Sequence, residues 1–373
     1  MLYNPKKSTK GAKMSDFKNV KAGERVPFKS YAVADKNAKF KLWQGSRHAM
    51  GEHDIIIEIK YCGICHSDIH SAKSEWHEGI YPMVPGHEIA GQVVAVGSKV
   101  TKFKVGDFAG VGCMVNGKCG CPSCSADMEQ YCEEGKTVFT YDCADIYHGG
   151  EPTYGGYSDN IVVRDEFAVT VPSSADLARV APLLCAGITT YSPLKRFGIR
   201  PGHKVAIAGF GGLGLMGAKY ALAMGAEVSI FARNRKKEKI AKELGCKTLY
   251  ESTDARAISE RFDFILCTIP ANYDLSAYVR LLKHGGEFCV VGLPPLGERP
   301  SMDVAELVFA GQKKLSGSCI GSMKETQEML DFSLKVGILP EIQVVKANQI
   351  DWVYEQLLSG AGDFRYVIDM STL

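Results

Sequence analysis

No stretch of this 373-residue chain stays apolar and uncharged for long enough to cross a bilayer. The two longest such runs, 180–194 and 205–218, both fall short of the roughly 20 residues that a spanning helix needs. An excess of one charge is missing too. The 44 basic and 42 acidic residues are interspersed and leave +2, so nothing in the sequence forms the basic stripe that nucleic acid or an anionic membrane would require. The opening MLYNPKKSTKGAK has neither the apolar core of a secretory signal nor the arginines of a transit peptide, and reads as a disordered extension with Met14 as an alternative start. Internal repeats and low-complexity segments are absent. These absences exclude membrane and nucleic-acid roles and leave a small molecule as the expected partner. Cysteine, by contrast, is plentiful. Thirteen thiols without a signal peptide point to a reducing compartment, the cytoplasm by default, where they serve as metal ligands or buried apolar groups.

The length predicts about two domains. From Phe28 to Glu166, short apolar runs broken by glycine (DIIIEIKY, IAGQVVAVG, VGDFAGVG, YSDNIVV) predict a β-rich domain. From Phe167 the texture changes. Strand-like VAIAG, VSIFA, FDFILCT and EFCVVGL alternate with helical stretches, as in a doubly wound parallel sheet of α/β class. Beyond Asp303 helices lead to a last strand, FRYVIDM, expected to return to the first domain. The expected division is an extension and first-strand region over 1–27, a catalytic domain over 28–166 and 304–373, and a nucleotide-binding domain over 167–303.

CGICHSDI places Cys65 beside a possible thiolate partner, PGHE places His87 and Glu88 after a tight turn, and LLCAG places Cys185. Two thiolates and one imidazole from three separated segments form the ligand set of a catalytic zinc that keeps one tetrahedral position open. Glu88 is either a fourth ligand or an outer charge. Asp68 is the natural acceptor for the second ring N–H of His87, and Cys62 is a packed thiol. A second set, Cys119, Cys121, Cys124 and Cys132, crowds four thiols onto a Gly/Pro-rich loop and predicts a closed structural zinc. Cys113 and Cys143 are left over.

KVAIAGFGGLG runs a buried strand into Gly209, Gly211, Gly212, Leu213 and Gly214 at the start of a helix, the context in which glycines admit a dinucleotide pyrophosphate. The next strand, VSIFA, closes on Ala232 and not on the acid that would bind the 2′-hydroxyl of NAD. Arg233, Asn234 and Arg235 follow, which favours a 2′-phosphate and hence NADP(H).

With GICHSDIH, YPMVPGHEIAG, DMEQYC, GGYS, APLLCAGITTYSPL, AGFGGLG, VGLPP and FRYVIDM in order, the chain resembles the zinc-dependent medium-chain alcohol dehydrogenases, in particular the cinnamyl-alcohol-dehydrogenase-like branch with its bacterial NADP-dependent aldehyde reductases. The resemblance runs from about residue 28 to the C-terminus. It implies a GroES-like catalytic domain, a Rossmann domain, a homodimer joined through the nucleotide-domain sheets, and hydride transfer between NADP(H) and a primary alcohol or aldehyde. It also implies roles for particular residues: Ser67 as the hydroxyl at the substrate oxygen, His70 as the proton relay, and His66 at the pyrophosphate. Thr189, Thr268, Val291, Leu293 and Ser318 would lie beside the nicotinamide, and Trp76 and Phe139 either line the substrate cleft or belong to the core. One departure stands out. Relatives space the structural ligands C-x2-C-x2-C-x7-C, whereas Lys118 occupies the first position here and the cysteine has moved to Cys119. Either Cys119 reaches the ion through a tighter bite, or the site is three-coordinate, labile or empty. Two other readings compete: a polyol dehydrogenase, disfavoured by Ala232, and a zinc- and nucleotide-binding protein without turnover, disfavoured by the intact Cys65, Ser67, His70, His87 and Cys185.

Overall fold

A computed structural model describes residues 17–373 apart from 21, 22, 118, 299, 310 and 361–363. The expected extension and Met14, together with Lys118, lie outside the described residues. Two large sheets organise the chain. The first has seven strands, ordered Val169–Val171, Phe108–Val111, Ile89–Val96, Asp54–Ile64, Arg365–Asp369 and Ile342–Lys346, with Asn160–Arg164 also pairing with Asp54–Ile64. Asp54–Ile64 is the hub. Its Ile55, Ile56 and Ile57 are all buried, as β-branched residues in a strand covered on both sides should be.

The second sheet has six parallel strands, ordered Thr248–Glu251, Glu227–Ala232, Lys204–Ala208, Phe262–Cys267, Leu282–Val290 and Lys314–Gly317. The strand order reverses direction at Lys204–Ala208, whose successors in sequence lie on one side of it and Phe262–Cys267 on the other. A crevice therefore opens at the carboxyl ends of these strands, where such sheets bind ligands. The helix Gly212–Ala223 follows directly, and its Met216 and Tyr220 pack with Met329 and Leu330 of the helix Met323–Val336 in one apolar cluster.

Two short strands fall across the expected divisions. Val169–Val171 pairs with Phe108–Val111 in the first sheet, and Lys314–Gly317 extends the second. Both are only three or four residues long, too short to carry a periodicity. Arg365–Asp369 does return to the first sheet, antiparallel to Asp54–Ile64, with Tyr366 opposite Ile64. Among the described residues no helix is long and apolar enough to cross a membrane.

Candidate active site and metal centres

Cys65 directly follows the hub strand and caps the short helix His66–Ala72, so its sulfur leaves the sheet at a fixed point. Asp68, on that helix, is fully buried and takes four donors. Its Oδ2 accepts from the Cys65 N–H at 2.8 Å and the Tyr157 hydroxyl at 3.1 Å, and its Oδ1 from the Gly86 N–H and His87 Nδ1, each at 3.1 Å. A carboxylate can only accept, so Nδ1 carries the proton and Nε2 of His87 presents its lone pair. That nitrogen lies 3.2 Å from Cys185 Sγ, and Cys185 Sγ lies 3.9 Å from Cys65 Sγ. Ligand atoms of Cys65, His87, Glu88 and Cys185 all fall within 4.8 Å of one another, and Glu88 Oε2 is buried without a partner. Tetrahedral zinc with bonds of about 2.3 Å to sulfur needs sulfurs about 3.8 Å apart. The set fits that ion.

The turn bearing His87 is held by the GGYS segment: Gly155 N–H donates to Val84 O at 2.7 Å, Gly156 N–H to Gly86 O at 2.8 Å, and Tyr157 N–H to Pro85 O at 3.0 Å. Glycine at 63 has an equally local cause, since a Cβ there would sit 1.9 Å from Glu88 Oε2. Burial drives the Glu88 carboxyl up to about 8 against the downward pull of the Arg365 guanidinium, which contacts it. The hydrogen bond from Cys185 holds the Cys65 thiol well below its ordinary value, whereas burial pushes Cys62 well above it.

Ser67 Oγ lies 3.7 Å from Cys65 Sγ. His70 is buried, with Nδ1 2.5 Å from Glu75 Oε2, its ring stacked on Trp76 at 4.7 Å between centroids, and Nε2 without a partner. Trp76 thus lies beside the expected relay imidazole. Phe139 is 39% exposed on the two-residue strand Val138–Phe139, which removes it from the core.

The second thiol set also converges. Cys119 Sγ lies 3.4 Å from Cys132 Sγ and 3.6 Å from Cys124 Sγ, and Cys121 Sγ 4.0 Å from Cys132 Sγ, so the shifted cysteine joins the cluster. Backbone N–H groups of Cys121, Cys124 and Lys136 donate to the sulfurs of Cys119, Cys121 and Cys132. The Cys124 N–H helps to bring the Cys121 thiol down to about 6, the anionic form that zinc takes. This lobe grips the segment 319–323: Glu129 Oε1 accepts from Met323 N–H at 2.6 Å, and Tyr131 Oη from Cys319 N–H at 2.9 Å.

At the nucleotide crevice a Cβ on Gly214 would meet Gly209 O at 2.0 Å, while one on Gly211 would meet nothing within 4 Å. The glycine turn is thus closed against its own helix and open outward, as a pyrophosphate requires. Thr268 donates to Ala208 O and Gly209 O at 3.1 Å, Val291 N–H to Cys267 O at 2.9 Å, and Ser318 N–H to Val290 O at 3.0 Å, which puts all three at the carboxyl ends of neighbouring strands. The Ser318 hydroxyl is buried and unpartnered, Leu293 is exposed, and Thr189 is buried on the helix Ala186–Phe197 that starts after Cys185. His66 is the first residue of its helix. Arg235 is tied to Glu238, and Asn234 caps the turn that follows it, leaving Arg233 nearest Gly360.

Three neighbours escaped the sequence reading. Arg365 meets Glu88 across 277 residues of chain, Glu75 backs His70, and the spare Cys113 hydrogen-bonds Cys185. No local pattern marks Glu75 or Cys113. Arg365 lay within a landmark motif, which was its only signal.

Residues 51–173 match the family model of the alcohol dehydrogenase GroES-like domain, and residues 212–335 that of the zinc-binding dehydrogenases. The chain is 47% identical over 346 residues to the probable formaldehyde dehydrogenase AdhA of Bacillus subtilis, covering 92% of this chain and 97% of that protein. It is 46% identical over 347 residues to the NADP-dependent alcohol dehydrogenase C 1 of Mycolicibacterium smegmatis, covering 92% and 98%. Among solved structures, CAD from Helicobacter pylori complexed with NADP(H) superposes with a TM-score of 0.90 at 52% identity, covering 93% of this chain and 99% of that one. A cinnamyl alcohol dehydrogenase of Sorghum bicolor does so at 0.88 and 36%, covering 92% and 98%.

Proposed function

The chain belongs to the zinc-dependent medium-chain alcohol dehydrogenases of the cinnamyl-alcohol-dehydrogenase-like branch, and from that premise we propose which of its residues perform the reaction. It is an oxidoreductase that interconverts alcohol and aldehyde with NADP(H) and zinc. When bound, zinc supplies a fixed positive charge at the substrate oxygen and NADPH the hydride. Cys65, His87 and Cys185 would hold the catalytic ion, with Glu88 paired to Arg365 at the same cluster and Asp68 fixing the imidazole. Cys119, Cys121, Cys124 and Cys132 hold the structural one. Gly209, Gly211, Gly212, Leu213, Gly214 and His66 cradle the pyrophosphate. Arg233 and Asn234 would take the 2′-phosphate, and Thr189, Thr268, Val291, Leu293 and Ser318 would line the nicotinamide site.

During reduction the Ser67 hydroxyl gives its proton to the substrate oxygen. His70 would restore it by way of the cofactor ribose, and Glu75 on Nδ1 stabilises the imidazolium. Trp76 and Phe139 favour aromatic or medium aliphatic aldehydes over a broad range. The observation that carries this reading is the convergence of Cys65, His87, Glu88 and Cys185 beside the His70–Glu75 pair. Two finer points belong with it. The parallel sheet ends at Lys314–Gly317, next to exposed Val308, Phe309 and Leu315, which supports a homodimer joined along that edge. Thiol-rich metal sites suit a cytoplasmic, reducing setting. The test follows NADPH absorbance with benzaldehyde: Cys65→Ala should abolish turnover while NADPH still binds. Turnover within about tenfold of the parent in that variant would overturn the ligand assignment.

A further inference from the structure

A third group of metal-binding side chains lies away from both thiol sets. His48 is the last residue but one of the strand Lys41–Ala49, and Asp145 and His148 belong to the small hairpin whose strands are Ala144–Asp145 and Glu151–Pro152. We propose that His48, Asp145 and His148 form a third metal site, one for a divalent transition ion such as Zn2+.

The side chains are prepared as ligands usually are. Asp145 is buried and rigid: Oδ1 accepts from the Tyr147 N–H at 3.0 Å and Oδ2 lies 2.7 Å from His148 Nδ1. His48 Nδ1 lies 2.9 Å from the Ala49 carbonyl. The Ala49 carbonyl can only accept, so His48 Nδ1 carries the proton and its Nε2 offers a lone pair, whereas at His148 an ion would take the place of the proton that Nδ1 shares with Asp145 Oδ2. His48 is thus oriented as metal-binding histidines are, by an acceptor on the other ring nitrogen. Ligand atoms of the three residues fall within 4.8 Å of one another. The imidazoles stack at 3.5 Å between centroids and 5° between planes. Both rings are partly exposed, so side-chain rotation can splay them to the edge of about 3.4 Å that a tetrahedral nitrogen set needs.

A cavity of about 30 Å³ beside them is lined in part by His48, Asp145, His148 and Glu151, room for one ion or one water. Asp54 Oδ2 adds negative charge 3.9 Å from His48. The guanidinium of Arg47, which also borders the cavity, is spent on the carbonyls of Asn160, Tyr154 and Gly155. Two imidazoles select zinc, nickel or copper over calcium or magnesium, which prefer all-oxygen sets. The ion would clip the hairpin to the strand Lys41–Ala49. Residues 154–157, which hold the turn of His87, follow that hairpin directly.

The test dialyses the purified holoenzyme against micromolar Zn2+ and measures metal per chain. The parent should hold one zinc more than His148→Gln and one more than His48→Gln, and added Zn2+ should raise the melting temperature of the parent alone. Retained NADPH-dependent turnover reports that the variants are folded. A second readout needs no variant: stoichiometric Zn2+ added to the isotope-labelled holoenzyme should move the ring signals of two of its nine histidines. Equal zinc content in parent and variants, or an unmoved histidine spectrum, overturns the site.

Discussion

Asp68 shows how much one buried carboxylate can organise. Through four hydrogen bonds it joins the N–H of one candidate ligand, the turn before another, that ligand's ring and the Tyr157 hydroxyl. Asp68→Asn keeps the shape and replaces one acceptor oxygen by a donor, which sets the side chain against His87 Nδ1 or a backbone N–H. Zinc retention during dialysis against a chelator should fall about 10–100-fold, the usual consequence of losing the group that orients a ligand. Arg233 decides a different question. With Ala232 closing the strand in place of an acid, Arg233→Asp should move the ratio of kcat/KM values from NADPH towards NADH, because the new carboxylate repels a phosphate and accepts from a free hydroxyl. An unchanged ratio would place the phosphate pocket elsewhere. The candidate ligands that converge were legible because cysteine and histidine are rare types and each stood in a short motif, although 65, 87 and 185 lie far apart in the chain. Arg365 and Glu75 were not, since arginine and glutamate are common and only tertiary contact distinguishes these two.

In the lobe 119–135 only Cys121 and Glu129 are buried, and the four thiols stand where side-chain packing otherwise would. Cys119→Ser should therefore lose one zinc per chain and lower the melting temperature while the catalytic ion stays, as metal analysis and calorimetry can follow. The contacts of Glu129 and Tyr131 with Met323 and Cys319 add a second expectation: the KM for NADPH should rise in the same variant, because Ser318 adjoins the gripped segment. The one-residue shift to Cys119 was visible in the sequence. What it meant was not, because a loop with two glycines and a proline can absorb a displaced sulfur in ways that spacing does not determine.

For the whole molecule the two-part plan was legible. Continuous apolar runs such as VAIA, alternating with helical stretches, announced a doubly wound parallel sheet, and the glycine turn marked the strand that feeds the nucleotide helix; that this strand is central came from its pairing. The short strands Val169–Val171 and Lys314–Gly317 hid the true ends of both sheets. The second of these matters most, because it leaves an open parallel edge. Leu315→Lys should convert a dimer into monomers by sedimentation, with turnover per chain reduced only as far as the edge supports the crevice.

The place of Arg365–Asp369 also carries a consequence in time. This strand lies inside the first sheet, between Asp54–Ile64 and Ile342–Lys346, and bears the one cation that contacts Glu88 among the described residues. A ribosome makes the metal-binding segments early and the whole nucleotide sheet next, so the gap in the first sheet stays open until this strand emerges. A nascent chain can thus complete its nucleotide fold while its metal pocket still lacks a wall and a countercharge. Chains stalled after residue 360 should resist protease over 204–317 and yield to it over 54–111. Translation would then end with a structural inspection, in which an incomplete polypeptide is exposed to degradation before it can consume reductant.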